Sequence, residues 1–334
     1  MVTSIDLLCW EQVLRACTSE VRVIKFITSL KHISGIPLEV LGNSQFDNKA
    51  STLCVIPGSP ASLTFEAESR LLTLRIDWEL IEERAATFTN LMGQLLSLAC
   101  ADNGEFPIHA AAVSKGRTAY LLIGGPGAGK TNLSLLLCKD FDFKWLSNDW
   151  CSLTINGSEI EVVHGHDLIN FRREGFDQIA HCVAPEVASL IRKQFLLNNN
   201  TIFESKSAFL TSGDLGLTRE RLPCALGGIF FIEVGRMATS HYCQRIPPIC
   251  AIDLILQELF WPLRGLGSFV IDKFGKVVCP SLVLTPKMGW ESLCRLANLA
   301  VLHYPCYIVK APLRVAADFI SVVTDEHNLT KNTS

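Results

Sequence analysis

Gly124-Gly125-Pro126-Gly127-Ala128-Gly129-Lys130-Thr131 matches the pattern G-x-x-x-x-G-K-[ST] at each fixed position. Ala119-Tyr120-Leu121-Leu122-Ile123 before it reads as a buried strand, and Asn132-Leu133-Ser134-Leu135-Leu136-Leu137 after it reads as a helix. Strand, glycine loop and helix in that order make a phosphate cradle for physical reasons. Glycines let successive backbone N–H groups converge on an anion with no Cβ in the way. The helix that opens there adds the positive end of its dipole to the same anion. Lys130 can reach the β- and γ-phosphates as a point charge, and Thr131 can ligate magnesium through its hydroxyl. Gly124 to Thr131, with Asn132 following, are therefore the candidate nucleotide-binding residues. The expected ligand is a nucleoside triphosphate, with ATP and Mg2+ as cofactors.

A magnesium-nucleotide site also needs a carboxylate for the metal or its water, and often a base for the acceptor. Leu146-Ser147-Asn148-Asp149-Trp150 follows the helix and leads into another strand. Asp149 is the best candidate for metal ligand and catalyst, with Asn148 beside it. Asn-Asp is equally the chemistry of a plain turn, because both side chains bond to nearby backbone. His109 begins the strand before the loop strand, and adjacent strands end side by side near the phosphates, so it joins the catalytic candidates. A lone histidine is also a common structural group. Arg172, Arg173 and Lys206 have the charge to stabilise a transferring phosphoryl group, or to serve as solvated surface. His164 and His166 resemble a metal pair, but no third ligand accompanies them.

Residues 5–18 and 22–31 read as short helices carrying Leu7, Leu8, Val13 and Leu14 on an apolar stripe. Alternating runs at Ile36–Leu41, Leu53–Ile56, Leu63–Ala67 and Leu71–Ile76 predict a small sheet. A long helix is expected over about Glu79–Cys100, stopped by Ala101-Asp102-Asn103-Gly104. The boundary falls there, which makes 1–104 an N-terminal α+β domain. Beyond it come strands His109–Ser114 and Thr118–Ile123, then Trp150–Ile155 and Glu159–His164 flanking the hairpin signal Asn156-Gly157. Helices near 174–197, 251–261, 288–302 and 312–323 and strands at Gly228–Val234 and Cys306–Val309 complete an alternation that argues for α/β. Asn198-Asn199-Asn200 reads as a loop, 105–325 as the nucleotide-binding core and 326–334 as a flexible tail.

Across 334 residues, 49% are hydrophobic and 19% charged, enough to build a sizeable core and too apolar for a disordered chain. The net charge is −3 and the pI about 6.3. With no basic run interleaved with aromatics, a nucleic-acid partner is not expected. The most apolar stretch, Cys224 to Val234, is too short to span a bilayer, and Met1-Val2-Thr3-Ser4-Ile5-Asp6 lacks the features of a signal peptide. The 13 cysteines are an odd number without a Cys-x-x-Cys pair. That pattern suits reduced, buried thiols in the cytoplasm.

Three segments in this order resemble the HPr kinase-like family: Pro107-Ile108-His109-Ala110-Ala111-Ala112-Val113, the glycine loop, and Leu146-Ser147-Asn148-Asp149-Trp150. Leu226-Gly227-Gly228-Ile229-Phe230-Phe231-Ile232-Glu233 and Pro305-Cys306-Tyr307-Ile308-Val309 extend the likeness over roughly 105–325, towards relatives from bacterial biosynthetic clusters. The resemblance implies a P-loop kinase core of the phosphoenolpyruvate carboxykinase-like fold, with Lys130 and Thr131 as phosphate and magnesium ligands and His109 near the active site. The family usually shows two adjacent aspartates where this chain has Asn148-Asp149, and an amide cannot act as a general base. Its glycine-rich signature is not recognisable at Asp167–Gly175. The function expected is ATP-dependent phosphotransfer to a hydroxyl of a peptide, protein or small-molecule acceptor. The alternatives are a nucleotide-binding regulator or scaffold whose catalysis has decayed, and a carboxykinase, for which no metal-ligand constellation stands out. Self-association into a homo-oligomer is left open by the sequence.

Overall fold

Leu7 and Leu14, read from sequence as one stripe of a helix, face each other across a β-hairpin. The structure is a computed structural model. It describes residues 3–9, 12–30, 32–33, 36–37, 39–42, 51–58, 62–66, 71–83, 92–93, 96–97, 99–101, 103–197, 207–234, 241–260 and 290–332. Thr3–Cys9 and Gln12–Thr18 are antiparallel strands, so the expected first helix is corrected to a hairpin. The reason is the period. Gln12, Leu14, Ala16 and Thr18 are buried in alternation, a period of 2 that outweighs the coincidental helical spacing of the leucines. The hairpin also pairs Asp6 with Arg15 in register, and the guanidinium donates from Nε at 2.8 Å and from Nη2 at 3.0 Å to the buried carboxylate. Arg15→Met should cost about 1.5–3 kcal/mol, the worth of a charged hydrogen-bonded pair. Chemical denaturation would measure that loss, and unchanged stability would show that the pair is dispensable.

The chain divides into two units, Met1–Pro107 with Leu259–Cys294 and Ile108–Glu258 with Arg295–Ser334. In the first, the sheet order is Glu39–Gly42, Thr3–Cys9, Gln12–Thr18, Ser51–Ile56, Leu71–Arg75, Ser62–Glu66. Leu7, Leu14, Leu53, Val55 and Leu74 are buried, as are Val23 and Ile27 of the helix Val21–Ser29. Of the long helix expected from Glu79, Trp78–Glu83 is helical, and 84–90 lie outside the described residues.

In the second unit the sheet runs Lys144–Ser147, Ala110–Lys115, Thr118–Ile123, Cys224–Val234, Glu159–Gly165, Cys151–Asn156. Cys224–Val234 is the hinge of this arrangement. It lies parallel to Thr118–Ile123 on one side. On the other side, its first residues pair with Glu159–Gly165 and its last with Cys306–Ala311. This explains why the run is apolar throughout: a central strand covered on both faces has no reason to alternate. The helices Lys130–Asp140 and Leu313–Asn332 bury Leu133, Leu136, Leu137, Ala316 and Ile320 in one cluster with Tyr120, Leu122 and Phe230. The architecture is mixed α/β.

The sequence reading does not anticipate the strands Glu105–Ile108, Lys144–Ser147 and Tyr242–Arg245, nor the antiparallel pair Leu168–Arg172 with Ser207–Thr211. By the sequence, the last helix ends near 323, with a tail from 326. It continues to Asn332, tied by Lys115 Nζ to Asp325 at 2.9 Å and by the Tyr120 hydroxyl to Asn328 at 3.1 Å. The tail is thus corrected to helix as far as Asn332. The Asn198-Asn199-Asn200 loop and Lys206 lie outside the described residues. Among the described side chains, eleven cysteines are free thiols; five are buried, five are half-buried and Cys250 is exposed. Among the described residues, no helix is long and apolar enough to cross a membrane.

Candidate functional site

Thr118–Ile123 and Cys224–Val234 run parallel with Ile123 opposite Phe231, so the two strands end at the same edge of the sheet. The glycine loop leaves from that edge and is laced back to it. Val234 donates its N–H to the Ala128 carbonyl at 2.9 Å. The approach is close enough to demand glycine. A Cβ on Gly124 would stand 2.6 Å from the Ile232 carbonyl oxygen, and one on Gly129 would stand 2.7 Å from that of Val234. Gly129 also takes φ +90 as the residue before the helix Lys130–Asp140. Gly129→Ala therefore combines a left-handed penalty of about 1–2 kcal/mol with a backbone clash. A clearly lowered melting temperature is the expected result, and an unchanged one would mean that the loop can move off the strand end at little cost.

Gly125, Pro126 and Gly127 are exposed, whereas Lys130 behind them is only 5% exposed. Its Nζ donates to the Gly124 carbonyl at 2.6 Å and lies 3.3 Å from Nε2 of His109. Burial pulls the pKa of this ammonium down, the charges of Asp149 and Glu258 oppose that, and Arg172 adds to the lowering. An incompletely compensated buried cation at the mouth of a glycine loop favours an anionic ligand.

The next residue reaches the Asn148-Asp149 pair. Thr131 donates its hydroxyl to Oδ1 of Asn148 at 2.9 Å, and Asn148 Nδ2 donates in turn to Asp149 Oδ2 at 3.3 Å and to the Leu168 carbonyl at 3.4 Å. Asn148 is fully buried and Asp149 half-buried. The pair sits on the connection between Lys144–Ser147 and Cys151–Asn156. This connection is held by Asn148 N–H to the His166 carbonyl at 3.2 Å and by His166 N–H to the Ser147 hydroxyl at 2.9 Å. The hydroxyl, amide oxygen and carboxylate gathered there are hard oxygen donors, the set that suits Mg2+. They do not suit a soft or borderline metal, and among the described residues no cluster of three His, Cys, Asp or Glu could hold one.

His109 falls on the bend between Glu105–Ile108 and Ala110–Lys115, not within a strand. Its ring is 5.5 Å from that of Trp150, and its Nδ1 is 3.0 Å from Oε2 of Glu258. The structure thus brings together Lys130, Thr131, His109, Asn148 and Asp149. It does not bring in Asn132, whose side chain donates to the Gly175 carbonyl at 2.9 Å. Arg172 ends the strand Leu168–Arg172 and Arg173 opens the following helix, both exposed, and the charge of Arg172 reaches Lys130. His164 lies on the strand Glu159–Gly165, and His166, just past its end, supplies the carbonyl that braces Asn148. Glu258 had no signal in the sequence, since it looks like any carboxylate on a helix.

No protein-family model matches the chain, and no curated protein matches it. Among solved structures, the Hpr(Ser) kinase/phosphatase from Coxiella burnetii is similar, with 10% sequence identity and a TM-score of 0.30, over 68% of this chain and 98% of that chain. At that TM-score the likeness carries no argument about function, which has to stand on the chain's own residues.

Proposed function

We propose that the chain is a P-loop phosphotransferase of the HPr kinase-like kind, moving the γ-phosphoryl group of ATP to a hydroxyl of a peptide, protein or small molecule. One observation carries this reading: the buried Lys130 ammonium and the Thr131 hydroxyl begin a helix directly behind a left-handed glycine loop, with Asn148 and Asp149 against them. Loop N–H groups and the helix N-terminus receive the phosphates. Lys130, held by the Gly124 carbonyl, offers its remaining N–H to the β- and γ-oxygens. Asn148 keeps the Thr131 hydroxyl oriented through its amide oxygen. Thr131 and Asp149 would hold Mg2+, which supplies charge neutralisation on the nucleotide. The acceptor oxygen attacks the γ-phosphorus and its proton passes to the Asp149 carboxylate. A new O–P bond forms as the bond to the β-phosphate oxygen breaks, releasing ADP.

A second reading rests on Asn148 itself. An amide bonded to Thr131 binds without acting as a base, so a nucleotide-dependent regulator would have the same loop. Purified protein incubated with Mg2+ and γ-labelled ATP, with and without peptide, protein and small-molecule acceptors, separates the two. Acceptor-dependent label transfer is expected. Saturable Mg-ATP binding without any transfer would favour the regulator, and no binding at all would overturn both.

A further inference from the structure

Glu258 lies on the helix Pro248–Phe260, 149 residues along the chain from His109, and its carboxylate faces Nδ1 of that ring at 3.0 Å. On the opposite side of the ring, Nε2 is 3.3 Å from the Lys130 ammonium. The two neighbours determine where the ring carries its hydrogen. A carboxylate only accepts and an ammonium only donates. The arrangement that satisfies both has Nδ1–H donating to Glu258 and the Nε2 lone pair accepting from Lys130. The reversed tautomer would set a lone pair against the carboxylate and an N–H against the ammonium. Both side chains are mostly buried, at 10% exposure for His109 and 17% for Glu258, so water is a poor substitute for either partner.

We propose that Glu258 is a positioning residue of the nucleotide site, fixing through His109 the lone pair that holds the Lys130 ammonium at the glycine loop. The proposal rests on the reading of that loop as a phosphate cradle. With the Gly124 carbonyl, Nε2 takes two of the ammonium's three N–H bonds and so sets the direction of the third. Removing Glu258 takes away the carboxylate that favours the Nδ1–H form. Outer partners that orient a metal-ligating histidine typically change affinity by about 10–100-fold when removed, and an effect of that scale is expected for Glu258 acting through His109.

The test uses full-length protein labelled with 15N-histidine. His109 is assigned by the signal lost in His109→Asn, and Mg-ATP titration calorimetry is run on the same samples. In the wild type, His109 is expected as the Nδ1–H tautomer. Glu258→Gln should keep that tautomer, because its amide oxygen still accepts, and should bind Mg-ATP within about 3-fold of wild type. Glu258→Ala should give mixed tautomers and bind at least about 10-fold more weakly. If Glu258→Ala does not fold, Glu258→Met, which keeps the length of the side chain, carries the same expectation. An Nε2–H tautomer in the wild type overturns the proposal whatever the nucleotide does. So does unchanged affinity in a folded Glu258→Ala or Glu258→Met. A wild type that has the Nδ1–H form and yet binds no Mg-ATP overturns the phosphate-cradle reading, and this proposal with it.

Discussion

Asp149→Asn is expected to slow phosphotransfer to an acceptor by at least about 10²–10⁴-fold, the usual worth of a general base, while the protein stays folded. Folding should survive because Asp149 is half-buried, and the new amide still offers an oxygen to Asn148 Nδ2 where the carboxylate accepted at 3.3 Å. The rate should not survive, because an amide oxygen does not take the acceptor's proton at neutral pH and is a weaker ligand for Mg2+. Asn148→Asp is the companion variant, and the bonds around Asn148 set its direction. Thr131 could still donate to a carboxylate there. The two donations from Nδ2, to Asp149 and to the Leu168 carbonyl, would however become repulsions between oxygens at a position with no exposure. Activity should stay level or fall. A rise in Asn148→Asp would favour the decayed regulator, since it would mean that restoring a carboxylate repairs the site. Full activity in a folded Asp149→Asn would remove Asp149 from the mechanism and leave the Asn-Asp pair as a turn. Initial rates of acceptor labelling, with ATP turnover measured alongside, give both outcomes.

What the sequence revealed depended on whether the deciding interactions are local. Gly124 to Thr131 could be read because adjacent residues supply nearly everything the loop needs: flexibility at the glycines, an apolar strand before and a helix after. The Thr131–Asn148 bond was less legible. Proximity of Asn148 to the loop follows from the strand Lys144–Ser147 pairing antiparallel with Ala110–Lys115, and Lys144-Trp145-Leu146-Ser147 is too short to show a period. Glu258 was invisible for a stronger reason, since only the fold brings its helix to His109. The N-terminal hairpin was misread because Leu7, Leu8, Val13 and Leu14 fit a helical stripe if the polar positions between them are ignored. The strand alternation of Gln12–Thr18 includes buried Gln12 and Thr18, which a scan for apolar residues passes over. At the C-terminus, the continuation of the last helix past 323 is stabilised by Lys115 and Tyr120 on distant strands, not by the helix's own residues.

Lys130→Ala should weaken Mg-ATP binding by about 10–100-fold, equivalent to about 1.5–3 kcal/mol for a charged hydrogen bond to phosphate. The same substitution should leave the folded state no less stable. Lys130 is an ammonium 5% exposed whose burial already pulls its pKa down, so its removal relieves a desolvation cost even as it withdraws one donor from the Gly124 carbonyl and one from His109. The lysine is thus set to serve a ligand rather than the core, and binding and stability should part company in the mutant. A melting experiment shows the separation directly. A ligand at 100 times its Kd stabilises the wild type by about 2.7 kcal/mol. At the same Mg-ATP concentration a mutant with 100-fold weaker affinity sits near its own Kd and gains only about 0.4 kcal/mol. The melting temperatures without nucleotide should match or favour the mutant, and the upward shift produced by Mg-ATP should nearly vanish in it. A mutant that melts far below wild type without nucleotide would make Lys130 a structural residue, and an undiminished Mg-ATP shift would place the triphosphate somewhere other than this loop.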